Sequence, residues 1–339
     1  MDPLSHVIFG RTLIGLDHRR SLGRGAVAAC ALGAIAPDAD VIVITKGWDL
    51  YLRVHEVGTH SVLGSLAVAS GVAALVRVLQ RGSRYSSLML AAGIGALSHL
   101  TFDLISGALV RPGWPLFQER LSIPLVAMAD PWLVGICVAG AIALWVGRRR
   151  MAAIARGILL TIGAFLALKG ALMSTALPHW TKARGPDPIV SHAVEARWAS
   201  LTEWNVFDRT PDALREWRVN ALGDTATLVF SVPLRPESPI VAASRSLDTI
   251  QHFLRVHQLG FAASAPLENG GTQVLWSDIR YCWPGTNTTM PTPTTMLTPS
   301  TESPLECALW FGGIFGRDGR PVTQIVHVGT WRQIRPAGP

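Results

Sequence analysis

Long apolar runs separated by clusters of arginine organise the first half of the chain. Stretches free of acidic and basic side chains, histidine aside, extend over residues 57–76, 85–102 and 131–147, and a fourth, 157–181, is broken only by Lys169. Another apolar stretch, 25–45, contains Asp38 and Asp40, and a shorter first one, 3–16, carries His6 and Arg11. The longer stretches approach the ~20 residues a helix needs to cross a hydrocarbon core about 30 Å thick. The pattern therefore predicts an α-helical membrane bundle of about six segments. The first stretch has no basic region ahead of it, and His6 and Arg11 interrupt it, which sets it apart from a cleaved signal peptide.

Beyond residue 178 the period changes. Short alternating runs at 225–232, 273–279 and 322–328 read as half-buried strands, with one helical stretch at 247–256. The expected organisation is a membrane-embedded helical domain over residues 1–178 and a C-terminal α+β extramembrane domain, built on an antiparallel sheet, over 179–339. Residues 284–304 are rich in Thr and Pro and read as a long loop. No internal repeat is visible.

Composition supports this division. Of 339 residues 49% are hydrophobic and 16% charged, against roughly 25% charged in soluble domains, which argues against an ordinary soluble enzyme and against a disordered chain. The net charge of +7 would invite a nucleic-acid reading, but the whole excess lies in residues 1–177 and the remainder is balanced. No basic stripe with interleaved aromatics occurs, so lipid bilayer, not nucleic acid, is the expected partner. Arg19, Arg20 and Arg24, then Arg77, Arg81 and Arg84, then Arg148, Arg149, Arg150 and Arg156 follow alternate segments. The positive-inside rule places those loops in the cytoplasm, and both termini with the C-terminal domain on the opposite face. The 12 Trp are read as interface anchors and as core of the C-terminal domain. Cys30 and Cys137 fall in apolar segments as buried thiols; Cys282 and Cys307 flank the Thr/Pro-rich loop, bridged or free. There is no CxxC spacing, so a thiolate zinc site is not expected.

Ionisable groups inside apolar segments are costly, and they mark function by default. Here they are His6, Asp38, Asp40, His60, His99 and Asp103, with His55 just outside. They occur in Asp2-Pro3-Leu4-Ser5-His6, Pro37-Asp38-Ala39-Asp40, His55-Glu56-Val57-Gly58-Thr59-His60-Ser61 and Ser98-His99-Leu100-Thr101-Phe102-Asp103. His99 and Asp103, four apart, share one helical face; Asp38 and Asp40 do not, but converge where Pro37 disturbs the backbone. The six-segment topology brings the polar residues of four segments to one membrane face. All are His or carboxylate, donors suited to zinc or another divalent transition metal. A lone membrane histidine is more often a helix–helix hydrogen-bonding group; seven such residues at one depth favour a metal or proton-relay site. His18, His179, His192, His252, His257 and His327 have no such neighbours and read as ordinary loop or surface histidines.

These residues carry a resemblance to the YdjM-like family of bacterial membrane-bound metal-dependent hydrolases. That family has a DPxTH-type start, PDxD, HRGxTHS, SHxxxD, a proline-rich turn and a DP pair. The four motifs above, then Pro112-Gly113-Trp114-Pro115-Leu116-Phe117 and Asp130-Pro131, follow that order over the first half of the chain. Ser5 replaces the usual Thr, and Glu56-Val57 stands where the family has Arg-Gly. Val274-Leu275-Trp276-Ser277-Asp278-Ile279-Arg280-Tyr281 resembles a strand near the end of longer members. The resemblance implies a multi-pass protein of the bacterial inner membrane. Through a distant similarity to zinc-dependent phospholipases C and related nucleases, it also implies a phosphoester substrate.

The reading that follows is a membrane-embedded metallohydrolase acting on a phosphoester or lipid-linked substrate at the outer leaflet. His6, Asp38, Asp40, His55, His60, His99 and Asp103 form the ligand pool for Zn²⁺ or Mn²⁺, and Asp40 or Asp38 acts on the nucleophilic water. Two other readings use the same residues: a proton or ion relay or transporter, and a membrane anchor module stabilised by metal.

Overall fold

Asp2 and Pro3 open the first helix, α1 (Pro3–Ile14): proline fits the first turn, and the Asp2 carboxylate accepts the Ser5 N–H at 2.9 Å. The computed structural model describes residues 2–16, 22–55, 57–234, 236–284, 295–296 and 305–337. After α1 come α2 (Ala26–Ile35), a 3₁₀ segment (Ala36–Lys46), α3 (Trp48–Val54), α4 (Val62–Leu79), α5 (Tyr85–Ile105), α6 (Pro131–Val146) and α7 (Met151–Ala183).

Among the described residues, four helical stretches are long and apolar enough to cross a membrane: Ala26–Lys46, Val62–Leu79, Tyr85–Ile105 and Arg148–Ala183. The expected count of about six is not matched. At 1.5 Å per residue the 12-residue α1 covers about 18 Å, well short of a bilayer core, and the apolar α6 has only 16 residues. α7, with 33 residues, is longer than a core. Its last turns carry Ala176 and Trp180 onto Trp204, Val206, Trp217 and Val219 of the C-terminal domain. Residue 178 therefore lies inside a helix that joins the two parts of the molecule. The lysine in this apolar helix is accounted for here: Lys169 is buried, its ammonium donates to the Ser200 carbonyl at 3.1 Å, and it lies 4.4 Å over the Trp204 ring.

The C-terminal part is sheet-rich. β1 (Ser191–Ala196), β2 (Glu203–Arg209), β3 (Ala213–Asn220) and β4 (Ala226–Pro233) form one antiparallel meander. After α8 (Pro239–Ser244) and α9 (Asp248–Val256) come β5 (Gly260–Pro266), β6 (Thr272–Asp278), β7 (Cys282–Pro284), β8 (Thr295–Met296), β9 (Leu305–Cys307), β10 (Leu309–Phe315), β11 (Pro321–Val328) and β12 (Trp331–Pro336). Five of these pair in the order β12-β11-β10-β6-β5, and β7, β9 and β8 make a small sheet. α9 lays Ile250 and Phe253 on the five-stranded sheet, where Val274, Trp276 and Phe311 meet them. The Thr/Pro-rich stretch lies outside the described residues except for Thr295–Met296 and its first residue, Pro284. Cys282 and Cys307, paired in register on β7 and β9, form a disulfide that closes a 25-residue separation; Cys30 and Cys137 are buried free thiols. A loop of that length confines the unfolded chain by about 3 kcal/mol. Reduction is therefore expected to lower the thermal midpoint of the C-terminal domain by roughly 6–12 °C in the full-length protein, followed by tryptophan fluorescence; an unchanged midpoint would show that the bridge carries no stability.

One expectation needs correction. His257 is not an ordinary surface histidine: it is 5% exposed, its Nδ1 lies 3.2 Å from Asp278, and its ring stacks on Phe253 at 4.4 Å. The close of α9 against β6 buries it, which its local sequence does not signal. Burial lowers the His257 pKa below its ordinary value, more than the hydrogen bond to Asp278 raises it. Burial also acts against the Asp278 carboxylate, but the His257 hydrogen bond and the Arg280 charge outweigh it and hold that pKa below the usual range. Both pKa values are depressed in the folded state, so the stability they contribute is present at neutral pH and lost on acidification. The domain's midpoint should fall as pH drops below about 6.5, and Asp278→Asn should flatten the further fall below about pH 4. A midpoint independent of pH between 7 and 4 would refute this coupling. Of the remaining histidines, His179 donates to the Asn220 carbonyl (3.1 Å), His192 lies by Trp180, and His252 is 3.8 Å from Asp49. His18 falls outside the described residues.

Candidate metal centre

Small residues let the helices that carry the site approach closely. A Cβ on Gly33 would sit 2.3 Å from the Ala92 carbonyl oxygen, and one on Gly95 would sit 2.1 Å from that of Cys30. α2 and α5 therefore meet backbone to backbone, as membrane helices do along small-residue faces. One turn beyond Gly95, the His99 ring reaches back across this contact and donates Nδ1–H to the Ala34 carbonyl at 2.8 Å.

The loop before α4 is fixed as tightly. The Ser61 hydroxyl donates to the Gly58 carbonyl (2.8 Å) and accepts the Gly64 N–H (3.0 Å), capping α4. Between them, His60 Nδ1 lies 3.0 Å from Thr59 Oγ1, whose own proton goes to Asp40 Oδ2 at 3.2 Å. The hydroxyl proton is thus committed, and His60 Nδ1 is the donor to Thr59.

Asp38 and Asp40 come from the 3₁₀ segment, with Pro37 in its first turn. At three residues per turn, side chains two apart point about 120° from each other, so the two carboxylates serve different partners. Asp40 Oδ1 accepts from His55 Nδ1 at 2.9 Å. Asp38 Oδ1 faces His60 Nε2 (3.2 Å) and His99 Nε2 (3.4 Å). On α5, Asp103 Oδ2 faces the same two nitrogens at 3.2 and 3.0 Å.

The two ring nitrogens are themselves 3.1 Å apart. Because the Nδ1 protons of His60 and His99 are held elsewhere, their Nε2 atoms present lone pairs. Two lone-pair nitrogens and two carboxylate oxygens therefore converge with no donor among them. Their five measured separations run from 3.0 to 3.4 Å. Ligands ~2.0–2.1 Å from a tetrahedral ion stand roughly 3.3–3.4 Å apart. Asp38, His60, His99 and Asp103 thus fit a divalent ion in donor type, spacing and protonation. The carbonyl of Ala34 and the Thr59–Asp40 pair supply the outer hydrogen bonds that fix ligand tautomers in such sites.

A second group, Asp40, His55 and His60, also brings potential ligand atoms within 4.8 Å of one another and shares His60 with the first. His6 stands on the other side of Asp103: its Nε2 is 3.4 Å from Oδ1, the oxygen turned away from the four-atom set, and its ring stacks on His99 at 4.0 Å. Neither His6 nitrogen has a hydrogen-bond partner among the described residues, although the side chain is fully buried. An unpartnered buried imidazole is expensive, and a cation held between His6 and Asp103 would satisfy it.

All seven candidate residues lie in one connected network, which also includes Thr59 and the Ala34 carbonyl. The sequence reading assigned neither of these. Thr59 stood inside a motif already singled out, whereas a backbone carbonyl leaves no sequence signal. His60, His99 and Asp103 are buried, but the Asp38 side chain is 32% exposed and His55 19%, so solvent reaches the centre from their side. Behind it, Ala29, Cys30, Val72, Ala73, Leu88 and Ala92 fill the bundle between α2, α4 and α5.

Residues 1–175 match a family model described as YdjM inner membrane protein. No curated protein and no solved structure matches the chain.

Proposed function

The chain belongs to the YdjM inner membrane protein family, and from that premise we propose that it is a membrane-embedded metal-dependent hydrolase of phosphoester or lipid-linked substrates. The convergence of four acceptor atoms, with no proton between them, carries this reading. Asp38, His60, His99 and Asp103 would hold a divalent ion, zinc or manganese, which would supply Lewis acidity when bound. The chain's own residues do the rest. Ala34 and Thr59 hold the His99 and His60 tautomers, and Asp103 spans the space between His6 and the histidine pair. Asp38 combines ligation with exposure, so its face is where a substrate enters. Asp40, held by His55 and Thr59, is placed to accept a proton through His55.

The C-terminal domain belongs on the non-cytoplasmic side in this reading, where it covers the entrance from the outer leaflet. A periplasmic reporter fused after Pro339 is expected to be active and a cytoplasmic one silent; the reverse would move the site to the inner leaflet. The apolar packing behind the centre speaks against a proton or ion path continuing through the bundle. Activity is tested directly with a chromogenic phosphodiester. Turnover that disappears with chelator and in Asp103→Ala supports the proposal, whereas turnover equal in wild type and Asp103→Ala, or none in the metal-loaded protein on phosphoesters or lipids, sinks it.

A further inference from the structure

The stretch 274–281, which resembles a strand of longer family members, takes no part in the metal centre. β6 ends in it at Asp278, and the turn Ile279–Tyr281 folds Arg280 back onto that carboxylate: Nε donates to Oδ1 at 3.0 Å and Nη2 to Oδ2 at 2.9 Å. His257, the residue after α9, completes the group, with Nδ1 3.2 Å from Asp278 Oδ2. A carboxylate only accepts, so Nδ1 carries the imidazole proton. The Arg280 Nη2 atom 3.4 Å from it is a donor already committed to Asp278. Burial, which lowers the His257 pKa, keeps the ring neutral, and Nε2 is left with a lone pair. That atom has no hydrogen-bond partner among the described residues, although the side chain is only 4% exposed. A buried acceptor left unmet is expensive.

One face of the His257 ring stacks on Phe253 and its Nδ1 edge meets Asp278; beyond it lies a cavity of about 190 Å³, whose wall His257 shares with Glu195 and Arg280. That is room for roughly six waters, enough for a small polyol head. A second cavity, of about 230 Å³, adjoins the first: Gly107, Leu109, Glu195 and Arg280 line both. The rest of the lining is largely apolar, with Met128 and Val256 in the first cavity and Met173 and Leu177 in the second. Met173 and Leu177 belong to the later turns of α7, where that helix passes from its apolar span to the C-terminal domain. Arg280 Nη1 stands between the cavities, 3.8 Å from Glu195 Oε1 and beyond hydrogen-bond distance of it. The polar side of this space therefore offers two acceptors and one donor, and its apolar side continues the surface of a membrane helix.

We propose that the two cavities form a binding site for a membrane amphiphile with a neutral, hydroxyl-bearing head, and that His257, Arg280 and Glu195 recognise that head. One hydroxyl donates to His257 Nε2 and accepts from Arg280 Nη1, and a neighbouring hydroxyl donates to Glu195. Charged heads fit less well: a phosphate would set its charge against Glu195 and its lone pairs against Nε2, and an ammonium would meet Arg280. The apolar chain lies along Met173 and Leu177. This site goes beyond the hydrolysis proposed above and does not rest on it.

Calorimetric titration of the full-length protein with the octyl ether of glycerol, in an amine-oxide detergent that has no hydroxyl groups, tests the site. The ether link offers a hydrolase nothing to cleave, so the result stands whatever becomes of the hydrolase reading. Saturable binding is expected, weakened at least about tenfold when both ligand hydroxyls are methylated, and by a similar factor in His257→Phe. That variant keeps a ring on Phe253, and Asp278 keeps both bonds from Arg280. The methylated ligand gives an equivalent reading on the wild-type protein should the variant fail to fold. Glycerol alone is expected to bind at least about tenfold more weakly, because it leaves the Met173 and Leu177 wall bare. No saturable binding by the wild-type protein at millimolar ligand, equal affinity for the methylated ligand, or equal affinity in folded His257→Phe overturns the proposal. Glycerol bound as tightly as its octyl ether overturns the assignment to a membrane amphiphile.

Discussion

Replacing His99 or Asp103 by alanine is expected to reduce the bound divalent metal of the purified protein from near one ion per centre to below about a tenth of that. A closed zinc site takes four protein ligands, and a catalytic one three plus water, so a set of four has at most one to spare. Each of these residues provides one of the four converging atoms, and each sits within 3.4 Å of the other ligand type. Removing either leaves three of the four donors facing an unfilled gap among buried, uncompensated partners, so the set no longer closes around an ion. Thr59→Val should act less severely, lowering metal affinity by about 10–100-fold through the freed His60 tautomer. His6→Ala separates one ion from two: a fall in stoichiometry with the first ion retained places a second between His6 and Asp103. His179→Ala, at a histidine bonded to the Asn220 carbonyl far along α7, serves as the control. Elemental mass spectrometry on detergent-purified protein decides among these. Equal metal in the wild type, His99→Ala, Asp103→Ala and His179→Ala would refute the ligand assignment.

What the chain reveals before folding depends on the range of the interaction. His99 and Asp103 are four residues apart, so their shared face can be read from a helical period. Asp38 and Asp40 stand out because carboxylates are rare in apolar runs. How the two divide their work could not be read, because that depends on a 3₁₀ turn in a stretch that looks like continuous helix. The Nδ1 protons of His60 and His99, whose placement leaves their Nε2 atoms with lone pairs, are donated to Thr59 and to a carbonyl 65 residues from His99, and a carbonyl is invisible to any residue pattern. Membrane crossing was legible from hydropathy and length, but the count was not. α1 begins as the motif suggests, yet ends after 12 residues, and α7 runs past the point where composition changes. The docking of α9 against α3 was the least legible feature: Trp48 and Leu52 pack with Ile250 and Phe253, about 200 residues further along the chain, and no local pattern announces the contact.

Gly95→Ala and Gly93→Ala should have opposite effects although they lie two residues apart on the same helix. At Gly95 an added Cβ would stand 2.1 Å from the Cys30 carbonyl oxygen and 2.8 Å from the Ala34 nitrogen; at Gly93 nothing lies within 4 Å. The first substitution must push α5 away from α2, and backbone atoms cannot rotate out of the way. A cost of about 3 kcal/mol or more is expected. The second only replaces the least helix-forming of the ordinary residues, and should gain up to about 1 kcal/mol. The consequence for chemistry follows from the same contact. His99 depends on that spacing to reach the Ala34 carbonyl 2.8 Å away, so Gly95→Ala should also loosen metal binding by at least about tenfold, while Gly93→Ala leaves it unchanged. Thermal unfolding in detergent, paired with metal titration, reads both effects. Destabilisation with full metal affinity in Gly95→Ala would show that packing and ligation are independent. Equal stability of the two variants would show that the helices do not meet where the structure places them.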